Sequence, residues 1–288
     1  LGKCYVLCAL MFAYTVFPIG LNVFLAWFNK VLLEMGLSFP LIVGITFGTG
    51  VLAFLLPPVP GLTVYVFGGL MMSSTCPYGF WAGAFINIGL GWALKLFACA
   101  IQQKIIGGLL GQSLWVRRTC GVHKVTIRCI EAEMRRPGWT IGKLAILCGG
   151  PDWPVSVLAG ILNLSLVQCE LGTLPIIFFI IPCSLSGSFY MMRGTSEVWT
   201  RSGNLMLAAS VLISGVLWVI AGWAIQNQLE NNYTELTRPL PQNVDLEWLD
   251  HRDKMLKKAA EIRWETMPRG VRWLYAFCAM TQILVCHL

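Results

Sequence analysis

Sixty consecutive residues, 35–94, contain no Asp, Glu, Lys or Arg. A bilayer's hydrocarbon core is about 30 Å thick and is crossed by roughly 20 apolar residues in a helix. The run is therefore too long for one span and too apolar for a soluble core. Residues 4–29, 171–192 and 202–229 are also free of charge, and only 12% of the chain is charged, against about 25% in a typical soluble domain. The chain is expected to be an all-α, polytopic transmembrane protein. The stretch 4–28 exceeds the 7–15 residues of a signal-peptide core, so it is read as a retained span, with a bend expected at Pro18-Ile19-Gly20. The chain opens on Leu1 and stops at Leu288 inside an apolar stretch that begins near Val271, so a piece of a longer protein is expected.

Four regions follow from the charge pattern. Residues 1–37 hold the first span and a linker, and 38–226 form the membrane domain. Residues 227–270 form a polar tail, and 271–288 begin a further, truncated apolar segment. Within the membrane domain an arm over about 38–56 precedes a span over about 79–102, and further helices are expected over 168–192 and 203–226. Residues 103–138 carry Lys104, Arg117, Arg118, Lys124, Arg128, Arg135 and Arg136 against Glu131 and Glu133, which predicts a polar loop with a basic face. The positive-inside rule puts it on the cytoplasmic side. There Arg117, Arg118, Arg135 and Arg136 are candidates for contact with anionic lipid headgroups or act as a topology signal alone. In the tail, Leu246, Leu249, Leu256 and Ala260 recur at helical intervals, so Asp245 to Met267 reads as an amphipathic surface helix. The sequon at Asn232 falls on the cytoplasmic side of this topology, where it would not be used. Trp81, Trp115, Trp139 and Trp199 suit the two interfacial belts.

Two breaks in the apolar runs carry the functional argument. Pro57 and Pro60 are followed by Gly61 and by Gly68-Gly69. Gly149-Gly150 lead into Pro151 and Pro154, followed by Gly160. A proline lacks the amide hydrogen and its ring clashes with the preceding turn, so two prolines three apart end a helix. Carbonyls freed in this way cannot face lipid, so the backbone there must be buried in protein or line a cavity. Matched breaks in two halves of a membrane protein mark a transport site. Ordinary proline kinks are the plainer alternative. The two breaks, with their small residues, are therefore candidates for the transport path.

The deep ionisable residues are few: Lys95, Lys143, Asp152 and Glu170. A charge at the centre of a span costs about 2.5–3.5 kcal/mol on insertion scales, so such residues face a cavity or a partner. Asp152 sits between the prolines of the second break. It is expected either to meet a headgroup amine or a proton, or to cap a half-helix starting near Pro154, and in either role Asn is expected to keep the fold. Glu170 is the second candidate on the path, with a membrane-surface position as its alternative. Lys95 and Lys143 are expected to snorkel to an interface. The eleven cysteines make no CxxC pair and no Cys/His ligand spacing, so no metal is expected. No catalytic triad can be assembled from His123, His251 and His287, and no Walker motif is present, so neither an enzyme nor an ATP-driven pump is expected. No cofactor and no nucleic-acid partner are implied.

Residues 58–61, Pro-Val-Pro-Gly, with Phe67-Gly68-Gly69, resemble the first signature of the VTT domain. The series Gly138-Trp139, Pro151-x-x-Pro154, Leu158-Ala159-Gly160-Ile161, Leu164-Ser165-Leu166 and Leu171-Gly172-Thr173-Leu174-Pro175 resembles its second half. The resemblance to the DedA/VTT superfamily, which includes the SNARE-associated Golgi proteins, covers roughly residues 40–225. It implies two inverted re-entrant helical hairpins meeting near the membrane midplane. It also implies lipid movement: scrambling or flipping of phospholipids in a eukaryotic endomembrane (ER, Golgi or vacuole), or carrier-lipid transport in bacteria, often linked to protons. Membrane lipids are the expected partners, and a homo-oligomer is one expected assembly. Many relatives have an arginine just before the second Pro-x-x-Pro; here Cys148 stands there, so an arginine-dependent proton coupling does not carry over. A proton- or ion-coupled carrier of a small solute, and a trafficking scaffold without transport, are the competing functions.

Overall fold

The computed structural model describes residues 2–57, 59–261, 264 and 267–287, with side chains for all of these except 2–10, 13–15, 17–18, 21–22 and 284–287. Among the described residues every regular element is helical. The chain divides into two units, Leu1–Arg238 and Pro239–Leu288.

The first unit begins with α1 (Gly2–Glu34), whose backbone stays helical through Pro18 and Gly20. Next come α2 (Phe39–Leu55) and α3 (Gly61–Thr75), separated by the first proline break. Pro58, inside that break, lies outside the described residues. Ile42 near the start of α2 shares one apolar cluster with Met71 and Met72 near the end of α3 and with Leu32 of α1.

Helix α4 (Phe80–Ile101) does not stop where the charges begin. It continues as a π-helical stretch, Gln102–Gly107, into α5 (Gly108–Leu110). The expected loop over 103–138 is thus corrected, since α6 (Leu114–Cys120) and α7 (Val125–Arg135) fill the rest of it. The charges misled because a helix longer than the bilayer is thick has a polar end. At 1.5 Å per residue, the 31 residues Phe80–Leu110 span about 46 Å against a core of about 30 Å.

The second break separates α8 (Ile141–Gly149) from α9 (Asp152–Ile161), which meet at 119°. Then α10 (Leu166–Thr173) runs through a 3-10 turn at Leu174–Ile176 into α11 (Ile177–Met191). Helix α12 (Glu197–Asn231) is longer than expected at both ends. It is apolar but hardly buried, with Val211, Leu212, Val219 and Trp223 exposed. A helix apolar all round belongs in a protein core or in lipid, and this one has no core around it. Phe80–Leu110, Leu166–Met191 and Glu197–Asn231 are each long and apolar enough to cross a membrane, and α8 with α9 makes a fourth if the bent pair is one span. The chain has the build of a membrane protein.

One end of the first unit is tied together by Glu133 of α7, which is buried. It accepts hydrogen bonds from Thr140 Oγ1 (2.5 Å), Gln228 Nε2 of α12 (2.6 Å) and Arg136 Nη1 (3.1 Å). Lys143 of α8 is buried beside it and donates to the carbonyls of Arg136 and Gly138, in the segment just before the helix. Arg128 donates to the carbonyls of Glu235, in α13 (Tyr233–Thr237), and Arg238. These bonds hold the helices after α4 against the end of α12.

In the second unit, α14 (Val244–Ala259) is shorter than expected, and Arg252 lies 5.3 Å from the Trp248 ring. Residues 262, 263, 265 and 266, expected as the rest of that helix, lie outside the described residues. Helix α15 (Arg269–His287) exposes Trp273, Leu274, Phe277 and Met280.

Cysteines introduced at Ser113 and at Asn231 are expected to react with an impermeant thiol reagent from the same side of the membrane, and labelling from opposite sides would break the shared end. Burial pushes the Glu133 carboxyl up, but the bonds from Thr140, Gln228 and Arg136 outweigh it and hold its pKa below the ordinary value of 4.5. The ionised form is the stabilising one, so its contribution is complete above about pH 4.5 and is lost as pH falls further. Wild type is expected to melt above Glu133→Gln at pH 7, with the difference closing below about pH 4.5.

Candidate functional site

The two breaks lie far apart in sequence and meet in space. Trp153, just after the second break, donates its indole N–H to Leu55 O at the end of α2 (3.2 Å). A Cβ on Gly61, the first residue of α3, would strike Asp152 Oδ2. Between them Asp152 Oδ1 accepts from Lys95 Nζ at 2.5 Å. The Lys95 ammonium also lies 5.8 Å from the centre of the Phe54 ring.

Lys95 is 1% exposed, while the Asp152 side chain is 24% exposed. The ammonium is sealed between helices and the carboxylate reaches it from a partly open position. Lys95 does not reach out to solvent: its ammonium is buried and bonded to Asp152. Asp152 does not occupy the cap position of α9, which is Pro151; it lies in the first turn with its Oδ1 on Lys95.

The carbonyls at the end of α2, after α9 and at the 3-10 turn have donors that the sequence did not announce. Gln102 and Gln103 are adjacent, yet both are buried. The wider π-helical turn directs Gln102 Nε2 to Phe54 O (2.6 Å) and Gln103 Nε2 to Leu164 O (2.9 Å). Trp92 Nε1 donates to Leu174 O (3.0 Å) beside the 3-10 turn. A signal was present: amide and indole side chains are expensive in an apolar span unless a carbonyl awaits them.

The predicted path residues fall into three groups. Gly61, Asp152 and the ends flanked by Pro57, Pro60, Gly150, Pro151 and Pro154 gather around the ion pair or form the breaks next to it. Gly68, Gly69, Gly149 and Gly160 serve close helix crossings instead. A Cβ would strike Asn87 at Gly68, the Ser184 backbone at Gly69, Leu217 at Gly149 and the Gln103 carbonyl at Gly160. Ser73, Ser188 and the Gly69 carbonyl link α3 to α11 by hydrogen bonds (2.8 and 3.3 Å). Glu170 stands in the middle of α10 rather than at a helix start, and its Oε1 is buried with no partner among the described residues. Of the basic residues, Arg135 bonds Glu131 and Leu162 O, and Arg136 pairs with Glu133. Arg117 and Arg118 lie on α6, half-buried. Among the described residues no cluster of His, Cys, Asp or Glu could hold a metal ion.

The class defined by this architecture is a helical membrane protein with a buried ion pair where two interrupted helices meet. Compared with family models, curated proteins and solved structures, the chain matches none.

The asymmetry of the pair makes a prediction. Asp152→Asn leaves a sealed ammonium without a counter-charge, which costs about 3–5 kcal/mol. Lys95→Met leaves a carboxylate that water can reach, at a smaller cost of about 1–3 kcal/mol. The double variant removes both charges and is expected to recover most of the loss. Melting of the three proteins in detergent checks the order. Equal melting of Asp152→Asn and wild type would remove the pair from the account.

Proposed function

We propose that the chain moves lipid headgroups across a bilayer along a polar path between two re-entrant hairpins, α2–α3 and α8–α9, as a DedA/VTT-like scramblase or flippase. The observation that carries this is the meeting of both proline breaks on the Lys95–Asp152 pair. At rest each charge neutralises the other, so the interior presents no bare ion. A zwitterionic headgroup can exchange partners with the pair, phosphate to Lys95 and amine to Asp152, while its tails stay in lipid. Exchange of this kind conserves the number of ion pairs at each step. Asp152, the more exposed member, is met first. Where relatives have an arginine before the second break, this chain has Cys148 in the core cluster around Phe54 and Tyr65, and Lys95 of α4 supplies the cation. Anionic lipid at the basic segment would be met by Arg117, because Arg135 and Arg136 are held by intramolecular bonds.

A specific observation favours a second reading, an ion-coupled carrier of a small solute: the buried, unpartnered carboxyl oxygen of Glu170. The two are separated in liposomes. Purified protein is expected to make inner-leaflet fluorescent phospholipid accessible to an impermeant reductant. Pro151→Ala with Pro154→Ala, which lets α8 and α9 join, is expected to insert normally and to slow this at least several-fold. A carrier would pass solute or ions with no lipid exchange, and a scaffold would do neither.

A further inference from the structure

We infer that the groove between α1, α3 and the α11–α12 turn is a binding site for a single phospholipid whose headgroup carries an N–H or O–H donor. The site rests on the lipid-moving reading and names where the cargo waits. The groove encloses about 460 Å³. Its walls are apolar over most of their length, with Leu25, Leu62, Val66, Leu70 and Leu207. From Leu62 to Leu70 it follows α3 for about 12 Å. Leu62 follows Gly61, the first residue of α3, so one end of the groove lies at the level of the first break.

Two polar groups stand out on its lining. Arg193, in the turn after α11, is exposed, and among the described residues no carboxylate pairs with it; Glu197, the nearest acid in sequence, is held by Arg201 at 3.0 Å. Asn29 Oδ1 is buried with no hydrogen-bond partner among the described residues. Tyr190, also on the lining, is already committed to Asn204 (2.7 Å). An apolar trough with one free guanidinium and one unsatisfied acceptor complements an amphiphile with an anionic head. The planar guanidinium forms paired bonds to phosphate. The amide oxygen needs a donor, which a primary amine or hydroxyl headgroup supplies and a choline does not. A buried acceptor without a donor is costly, so the headgroup preference has a physical source.

The test places a benzophenone amino acid at Leu70 and irradiates the protein in vesicles holding alkyne-tagged lipids. Ethanolamine phospholipid is expected to be captured about tenfold more than diacylglycerol, which lacks the phosphate, and several-fold more than choline phospholipid. Arg193→Gln is expected to bring capture down to the diacylglycerol level, and Arg193→Lys to restore part of it. Asn29→Leu is expected to erase the preference over choline while sparing the preference for phosphate. Equal capture of diacylglycerol and phospholipid, an unchanged Arg193→Gln, or adducts with the mass of a second copy of the chain would each overturn the site. Selective capture without lipid flip would leave the site standing and retire the lipid-moving reading; flip with unselective capture would retire the site alone.

Discussion

A polar group inside a bilayer has no water to turn to, and that constraint organises this molecule. Backbone carbonyls freed where a helix is interrupted each cost several kcal/mol if left unsatisfied away from water. At the end of α2 Phe54 O is met by Gln102 and Leu55 O by Trp153, and at the 3-10 turn Leu174 O is met by Trp92. The charges obey the same rule. Lys95 can be buried because Asp152 is there, and Asp152 is there because α9 begins at that residue. Loss of Asp152 leaves the sealed Lys95 ammonium with the larger penalty, so the breaks, the π-helical turn and the ion pair form one unit.

Close packing is what brings these groups within reach. Helix α3 crosses α11 where Gly69 and Gly187 admit the opposing backbone, and α9 meets the π-helical stretch at Gly160 and Gly107. In lipid, association gains little from apolar burial and relies on small residues and interhelical hydrogen bonds. Ser73 and Ser188 supply such bonds at the first crossing. Glycines near the breaks thus act by letting helices touch, and the polar centre is a consequence of that contact.

Much of this was legible in the chain itself. Uncharged runs foretold apolar helices, and Pro57, Pro60, Pro151 and Pro154 foretold where α2 ends and where α9 begins to within two residues. What could not be read were the partners. A helix period says which face a residue occupies, but not that Lys95 and Asp152, 57 positions apart, share that face's neighbour. The basic stretch after Ile101 looked like a loop because charge marks leaving the bilayer, which a long helix does without ending. Nor could the sequence show that Lys143 would be held by two backbone carbonyls of the segment before α8. The paired glutamines were silent because no periodicity announces a π-helical turn.

The central claim is that a lysine and an aspartate from the two halves are in direct contact inside the membrane. Magic-angle-spinning NMR on protein in bilayers, with 15N in the lysine ammonium and 13C in the aspartate carboxyl, measures that contact as a dipolar coupling. The account predicts a strong coupling, in keeping with an N–O separation of 2.5 Å, that disappears in Lys95→Met. A spectrum with no coupling lost in that variant would mean that Lys95 and Asp152 are apart in the membrane, and the polar centre would not exist as described.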